Sequence, residues 1–457
     1  MKQLEQLRVM HVQLAESELG LARATLVHEL VQREEEGCAV EAIREALEQQ
    51  DIMSFTAVET QTLLDTLARL PVRDGFGYVE PSDLRGIREA RSEPTDLPSF
   101  EVSSYGSRLT GAWFGRCAGC CLGKPVEGWS HGQIRAYLDA IDVGDLRAYV
   151  PMVEPIPIEG KSWHHSAGES TGGNIDGMPR DDDIDYMIMA LEVLEQYGPD
   201  ATTADYASMW LDRLPYARVY TAERAAYRNL VAGYPADEAA LYNNPYREWI
   251  GAQIRADVLG YVVPGRPEVA ARLAYQDAAL SHVKNGIYGE MWAAATISAA
   301  FVLDHPGDAI RAGLAQIPAS SRLYEAIENS LGWAASLPTW QEAYAEIQAA
   351  YGHYHFVHTI NNACFVVLGL MYGHPRFSDT IGIAVECGED TDCNGATAGS
   401  VFGALHGEDS IPAEWTRPFG DRVRTIVPGQ DGHGDYLSIK DLVQRTSLLA
   451  QGAFSSL

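Results

Sequence analysis

The chain has no long hydrophobic run. No apolar stretch approaches the roughly 20 residues that a membrane-spanning helix needs. The N-terminal stretch from Met1 to Glu5 has mixed charge and lacks the apolar region of a signal peptide. We therefore expect a protein that does not interact with membranes and that resides in the cytoplasm.

Basic residues are scarce. Lys and Arg number 34 against 63 Asp and Glu, which gives a formal net charge of −29. A surface this acidic repels the phosphate backbone of nucleic acids and the head groups of anionic membranes. The composition therefore argues against nonspecific binding to either, and we expect no nucleic-acid partner.

Cysteine does not form a disulfide framework here. The seven cysteines are an odd number, which is typical of free thiols in a reducing compartment. Cys117, Cys120 and Cys121 lie close together, but no second ligand pair at zinc spacing accompanies them. We interpret these three as small core residues rather than as a metal site.

Alternating strand patterns are also scarce, whereas apolar residues recur at helical spacing through most of the chain. The sequence therefore predicts an all-α fold. Residues 1–95 form an expected N-terminal appendage, with helices at Val40–Gln49 and Ala57–Leu70 and a linker at Arg73–Leu97. This appendage is either an oligomerisation or docking element or a helical cap on the main domain at 96–457, and the sequence does not separate the two.

Two segments contain a glycine at every fourth position. Their glycines are Gly111, Gly115, Gly119 and Gly123 in the first and Gly395, Gly399, Gly403 and Gly407 in the second. A glycine inside a helix costs about 1 kcal/mol relative to alanine, but this spacing lines one face and allows another backbone to approach closely. We predict two buried central helices and hypothesise that they pack antiparallel.

Two short acidic turns precede apolar, helix-like runs. The first is Asp181-Asp182-Asp183 with Asp185 behind it, and the second is Glu389-Asp390-Thr391-Asp392. One or two carboxylates suffice to cap a helix, and three in a row repel one another unless a cation or a substrate offsets them. Antiparallel glycine helices would also bring Glu127 to face the second turn.

Such a set of oxygen ligands suits Mg²⁺, Mn²⁺ or Ca²⁺. No His pair at zinc spacing lies near the acidic turns, so zinc is disfavoured. Two acidic turns and a glutamate provide enough carboxylates for two ions about 3.5–4 Å apart, an arrangement that activates water.

The ordered motifs resemble the ADP-ribosylglycohydrolase family, of the type that reactivates dinitrogenase reductase, over roughly residues 105–450. Four pieces carry the resemblance: the glycine-rich helix Gly111–Gly128 ending in Leu-Gly-x-Pro-x-Glu, the Asp181-Asp182-Asp183 turn, the segment Asp277–Gly289 with Ser281-His282, and the turn and helix start Gly388–Ala396.

The resemblance implies an all-α fold, a centre of two Mg²⁺ or Mn²⁺ ions, and hydrolysis at C1″ of ADP-ribose carried by a protein side chain or a small molecule. The candidate metal ligands are Asp181, Asp182, Asp183, Asp390, Asp392 and Cys393. The candidate catalytic residues are Glu127, Asp183 and Asp392. The candidate substrate-binding residues are His282, and Gly173 and Asn174 at the end of a glycine-rich loop that could approach a diphosphate.

The chain departs from the family pattern at two positions. Asp181 replaces the usual threonine ligand, and Cys393 stands where a second threonine is expected; a thiol is a poor ligand for Mg²⁺. These changes leave two alternatives to ADP-ribose hydrolysis: hydrolysis of another N- or O-glycoside, and a non-catalytic binding or structural protein with the same fold.

Some polar residues near these motifs have a structural interpretation. His282 is also compatible with a hydrogen-bonded core histidine. Arg255 and Asp257 are interpreted as a structural ion pair rather than a substrate clamp. His164 and His165 are interpreted as loop residues rather than ligands.

Overall fold

The computed structural model describes residues 18–94, 96–427 and 436–455. The helices of this part are α1 Glu18–Glu35, α2 Glu41–Glu48, α3 Ala57–Ala68, α4 Leu84–Ala90, α5 Val102–Gly123, α6 His131–Ala140, α7 Ala167–Ser170, α8 Asp182–Tyr197, α9 Thr203–Arg213, α10 Thr221–Val231, α11 Asp257–Tyr261, α12 Pro267–Ala278, α13 Asn285–Ala300, α14 Pro306–Leu314, α15 Arg322–Ser336, α16 Trp340–Tyr351, α17 Thr359–Gly373, α18 Phe377–Glu386, α19 Thr391–His406, α20 Ala413–Thr416 and α21 Ile439–Gln451.

The predicted all-α class is confirmed. Within the described residues, the sheet structure is one antiparallel pair, β1 Arg422–Arg424 and β2 Tyr436–Ser438, in which Val423 lies opposite Leu437. Short 3₁₀ turns lie at Ile52–Ser54, Lys124–Val126, Gly198–Asp200, Tyr216–Arg218, Gln253–Arg255, Glu408–Ser410 and Arg417–Phe419. No helix in the described part of the chain has the combination of length and apolar character needed to cross a membrane.

Helices α5 and α19 form the centre of the molecule and pack antiparallel, as hypothesised. A methyl group added to Gly115 would overlap the carbonyl of Gly399, and one added to Gly119 would overlap the carbonyl of Gly395. The two backbones therefore touch along their glycine faces. Because side chains do not separate the helices, this contact fixes their relative register and places the start of α19 beside the end of α5.

The appendage has a small core of its own and packs on the main domain. Its buried apolar residues, among them Leu26, Leu30 and Leu67, form a cluster separate from the main core. The predicted helices at Val40–Gln49 and Ala57–Leu70 correspond to α2 and α3. Residues 1–17 of the expected appendage lie outside the described residues.

The linker expected at Arg73–Leu97 is wrong in one respect, because it contains helix α4. The side chain of Asp83 caps this helix by accepting from the Gly86 N–H, and Ile87 is fully buried in the main core. Gly, Pro and Arg in this stretch suggested a flexible segment, but a capped helical turn forms where one apolar side chain reaches the core.

All seven cysteines are free and buried. Burial raises the pKa of Cys117 to about 12 and that of Cys120 well above its usual value. These thiols stay protonated, in keeping with their interpretation as small core residues.

Candidate active site

Backbone hydrogen bonds join the end of α5 to the second acidic turn. The N–H of Gly128 donates to the carbonyl of Glu389 at 2.9 Å, and the N–H of Glu389 donates to the carbonyl of Trp129 at 2.8 Å. At the helix ends, Thr391 Oγ1 donates to the carbonyl of Gly123 at 2.8 Å. Glu127 is therefore held next to the start of α19, as the sequence pattern predicted.

Asp181 begins α8 and forms a buried ion pair. Its Oδ1 accepts from the Asp183 N–H at 3.0 Å as a helix cap, and its Oδ2 accepts from Lys124 Nζ. Burial by itself raises the pKa of Asp181, but Lys124 and the other donors outweigh burial, and the pKa lies below its usual value. Asp181 is therefore charged and bonded at both oxygens.

Asp183 is buried between a guanidinium and a thiol. Arg116 Nη2 lies 3.6 Å from Asp183 Oδ2, and Cys393 Sγ donates to Asp183 Oδ1 at 3.3 Å. This thiol contact joins the first acidic turn to the second. Burial and then Asp183 raise the pKa of Cys393 well above its usual value, so the group is a thiol rather than a thiolate.

The second acidic turn is buried as well. The N–H of Asp390 donates to Asn362 Oδ1 at 3.3 Å, and this oxygen also accepts from Asn394 Nδ2 at 2.8 Å. Burial, then Asp392, raises the pKa of Asp390 well above its usual value; burial, then Glu127, does the same for Asp392. Each carboxyl thus prefers to be neutral unless a cation approaches.

The cluster fits a divalent cation. One group of ligand atoms within 4.8 Å of one another comes from Cys120, Asp181 and Asp183, and a second comes from Asp390, Asp392 and Cys393. Asp183 Oδ2 and Asp392 Oδ1 are buried and have no hydrogen-bond partner among the residues that the structure describes. Buried oxygens of this kind call for an explanation, and a hard cation would satisfy both.

Glu127 and His164 lie at the open side of the cluster. The Glu127 side chain is 35% exposed, and its Oε2 lies 3.7 Å from His164 Nε2. Burial, then Asp390, raises the pKa of Glu127 to about 8. Burial, then Lys124, lowers the pKa of His164 to about 4, so a neutral imidazole faces the glutamate. The interpretation of His164 as a plain loop residue therefore misses its position at the site.

The three candidate substrate residues differ in exposure. His282 is buried, its Nδ1 bonds with Ser281 Oγ at 2.8 Å, and its Nε2 has no hydrogen-bond partner. Gly173 and Asn174 are exposed, and Asn174 Nδ2 donates to Thr171 Oγ1 at 2.9 Å. The roles of all three in substrate binding stay predictions, as do the proposed metal ligands.

The expected ion pair between Arg255 and Asp257 is wrong. Arg255 is fully buried and pairs with Asp277 at 2.8 Å and with Glu223 at 2.7 Å. Asp257 instead pairs with Arg116 at 2.9 Å. These ion pairs are structural. The partner of Asp257, Arg116, lies on helix α5, and local sequence spacing did not indicate it.

Asp185 belongs to the first turn in sequence only. It pairs with Arg180 at 2.6 Å and accepts from Thr425 Oγ1 at 2.6 Å and from the Ile426 N–H at 3.0 Å. These partners use both of its oxygens to secure the 425–426 loop, so Asp185 is not a candidate ligand of the cluster.

Sequence reasoning missed three residues of the site: Lys124, Arg116 and Asn362. Lys124 occupies the variable position before the proline of the Leu-Gly-x-Pro-x-Glu motif. A charged residue beside a helix-ending proline was a signal from which its place in the site was predictable. Arg116 lies inside an apolar glycine helix, where a charge requires a partner. Asn362 gave no signal of its own in the sequence.

The comparisons with known proteins agree with these motifs. The family model described as ADP-ribosylglycohydrolase matches residues 101–448. A solved structure titled ADP-ribosylglycohydrolase-related protein complex is similar, with a TM-score of 0.44 and 16% sequence identity, over 77% of this chain and 100% of that chain. The search of curated proteins gave no match. Because this match spans most of the length of the chain, the chain belongs to the ADP-ribosylglycohydrolase family.

Proposed function

We propose that this protein is a metal-dependent hydrolase that cleaves the glycosidic bond at C1″ of ADP-ribose conjugates. Family membership supports glycohydrolase activity in general. The observation that carries the finer proposal is two buried carboxylate oxygens that accept no hydrogen bond within the described residues: Asp183 Oδ2, which lies 3.6 Å from the Arg116 guanidinium, and Asp392 Oδ1. They come from turns about 200 residues apart. Buried oxygens that accept no hydrogen bond call for a further positive group, and a divalent cation would provide it.

The ion would be Mg²⁺ or Mn²⁺, and its ligands would be carboxylates drawn from Asp182, Asp183, Asp390 and Asp392. A bound divalent ion would polarise the substrate and lower the pKa of a bound water. The chain itself supplies the framework: the glycine contact of α5 and α19 keeps Glu127 beside the second acidic turn, and the Cys393–Asp183 contact joins that turn to the first. Arg116 holds the carboxylate of Asp183, and Asn362 holds the backbone N–H of Asp390.

Glu127 is the candidate for proton transfer. Its raised pKa, about 8, lies near neutral pH, where a general base is most effective. The oxygen of water forms a bond to C1″ while the bond from C1″ to the leaving group breaks with its electrons. Glu127 takes the proton from the water and returns it to the leaving group, so the reaction consumes one water.

Isothermal titration calorimetry with Mg²⁺ and Mn²⁺ tests the metal site. We expect binding by the wild type and its loss in Asp392→Asn. Asp176→Asn is the matched control, because Asp176 lies in the loop before the first turn, is 87% exposed and pairs only with Arg422. Wild-type protein that binds neither ion would contradict the metal site.

Substrate is tested separately, by mass spectrometry after incubation with ADP-ribosylated arginine, ADP-ribosylated serine and simple nucleosides. Release of free ADP-ribose from a conjugate is the expected result. Hydrolysis of nucleosides alone would favour another glycoside as the substrate. Binding of ADP-ribose without turnover of any conjugate would favour a non-catalytic binding protein.

A further inference from the structure

The first acidic turn already contains a cation supplied by the protein. Lys124 is one of five lysines in the chain, and among the four described it is the buried one. Its ammonium pairs with Asp181 Oδ2, while Asp181 Oδ1 accepts from the Asp183 N–H. Both oxygens of Asp181 are therefore engaged before any metal ion enters.

The other members of this first group are also poor partners for Mg²⁺. Asp183 faces the Arg116 guanidinium at 3.6 Å, which offsets part of its charge. The third member, Cys120, is a fully buried protonated thiol, and thiols select softer metals than Mg²⁺ or Mn²⁺. A divalent ion bound at Asp181 would also lie beside the Lys124 ammonium, and two cations in a buried site repel strongly.

The second group has no such internal cation. Within the described residues, no Lys or Arg side chain forms an ion pair with Asp390, Asp392 or Glu127. Lys124, which is paired with Asp181, acts on Asp392 and Glu127 only from beyond ion-pair distance. Asp392 Oδ1 is buried without a partner. The unmet demand for positive charge is therefore concentrated at this second turn.

We propose that the Lys124 ammonium takes the place of one of two divalent ions, and that the chain binds a single Mg²⁺ or Mn²⁺ at the second turn, through Asp390 and Asp392. The substitution is coupled: an aspartate stands where the family pattern has a threonine, and a lysine supplies the charge that this aspartate requires. The inference rests on the proposed function, since it concerns the metal content of the same site.

The test counts bound Mn²⁺ by equilibrium dialysis with elemental analysis, and examines the bound ions by electron paramagnetic resonance. We expect one Mn²⁺ per chain in the wild type and two in the double variant Lys124→Met/Asp181→Thr, which removes the ammonium and restores a hydroxyl. Lys161→Met is the matched control, because Lys161 contacts the nearby Trp129 ring but not the acidic turns, and it should retain one ion. Lys124→Arg keeps the positive charge and should also bind one.

The outcomes separate this inference from the proposed function. Two Mn²⁺ in the wild type would overturn the single-ion inference and leave the metal-dependent hydrolase standing. No Mn²⁺ in the wild type would overturn both. A folded double variant that still binds one ion, judged folded by its near-ultraviolet circular dichroism, would also contradict a role for Lys124. If the double variant does not fold, Lys124→Gln takes its place and should gain the second ion.

Discussion

Glu127 is a residue whose surroundings set its chemistry. It stands one residue past a 3₁₀ turn at the end of α5 and beside Asp390, and its pKa is raised to about 8. We expect Glu127→Gln to lower kcat by at least about 10²-fold, because an amide cannot take the proton of water. Steady-state kinetics on the best ADP-ribose conjugate measures this effect.

The control for that experiment is Glu159→Gln, an exposed glutamate in the loop that approaches the site. Its kcat should match that of the wild type. If Glu127→Gln also retained full kcat, the proton would have to move to another group, and the assignment of Glu127 would be wrong.

His406 makes stability depend on pH. It lies at the far end of α19, where its Nε2 is 3.2 Å from His374 Nδ1, and burial, then His374, lowers its pKa to about 4. An unfolded histidine has a pKa near 6.5, so between about pH 6.5 and 4 the unfolded chain binds a proton that the folded chain does not. His406 therefore leaves the unfolding free energy undiminished above pH 6.5 and lowers it as the pH falls from about 6.5 to 4.

Replacing His406 should flatten this profile. For each protein, the quantity compared is the drop in unfolding free energy between pH 7.5 and pH 5. We expect this drop to be roughly 1–2 kcal/mol smaller in His406→Asn than in the wild type. Urea denaturation across this pH range provides the measurement. Parallel profiles for the two proteins would show that the acid sensitivity arises at other groups.

At the scale of elements, the α5–α19 contact carries the site. Gly119 meets the backbone of Gly395, whereas Gly106, in the same helix, has nothing within 4 Å of the position of an added Cβ. We expect Gly119→Ala to lower the unfolding free energy by about 2–4 kcal/mol, because a methyl group would push two helix backbones apart. Since Glu127 and the second acidic turn lie at the ends of these helices, metal affinity should fall with it.

Gly106→Ala is the matched control for this change. Alanine favours helix over glycine by up to about 1 kcal/mol, so the variant should be as stable as the wild type or slightly more stable. Thermal and urea unfolding of both variants decides the issue. Equal stability of the two variants would mean that the glycine faces do not set the distance between the helices.

On the scale of the whole molecule, the appendage is fastened by buried charges. Arg247 of the main domain pairs with Glu29 at 2.7 Å and with Glu36 at 2.9 Å, both on or next to α1. Gln32 Nε2 donates to Glu248 Oε2 at 2.6 Å. These contacts favour the helical-cap interpretation for the described part of the appendage, residues 18–94. Oligomerisation through the appendage stays a prediction, as does the boundary at residue 95.

Loss of these ion pairs should destabilise the whole protein and not only the appendage. We expect Arg247→Met to lower the unfolding free energy by up to about 3–5 kcal/mol. Among the described residues, the buried Glu29 and Glu36 would then keep only Arg33 and, for Glu36, Lys284 at 3.8 Å as charged partners. Arg85→Met is the control: its pair with Glu89 is exposed and such pairs contribute about 0–1 kcal/mol. Urea denaturation of the two variants checks the difference, and a mild effect of Arg247→Met would mean that the appendage docks by its apolar contacts alone.

The features that the sequence determined are those written in local spacing. Glycines at every fourth position predicted the close helix pair, because a helix turns once in about 3.6 residues and aligns such positions on one face. The acidic turns and Leu-Gly-x-Pro-x-Glu identified the family, because their chemistry is contained in a few consecutive residues. The helices of the main domain followed from apolar periodicity in the same way.

Only the tertiary structure decided which charges meet. Lys124 pairs with Asp181 across 57 positions of sequence and Arg116 approaches Asp183 across 67, while Asp185 pairs with Arg180. Local patterns specify how a segment folds, but a buried ion pair depends on which distant surfaces exclude water together. The sequence therefore showed that the site is acidic, and the tertiary structure decided that a buried lysine, Lys124, pairs with Asp181 inside it.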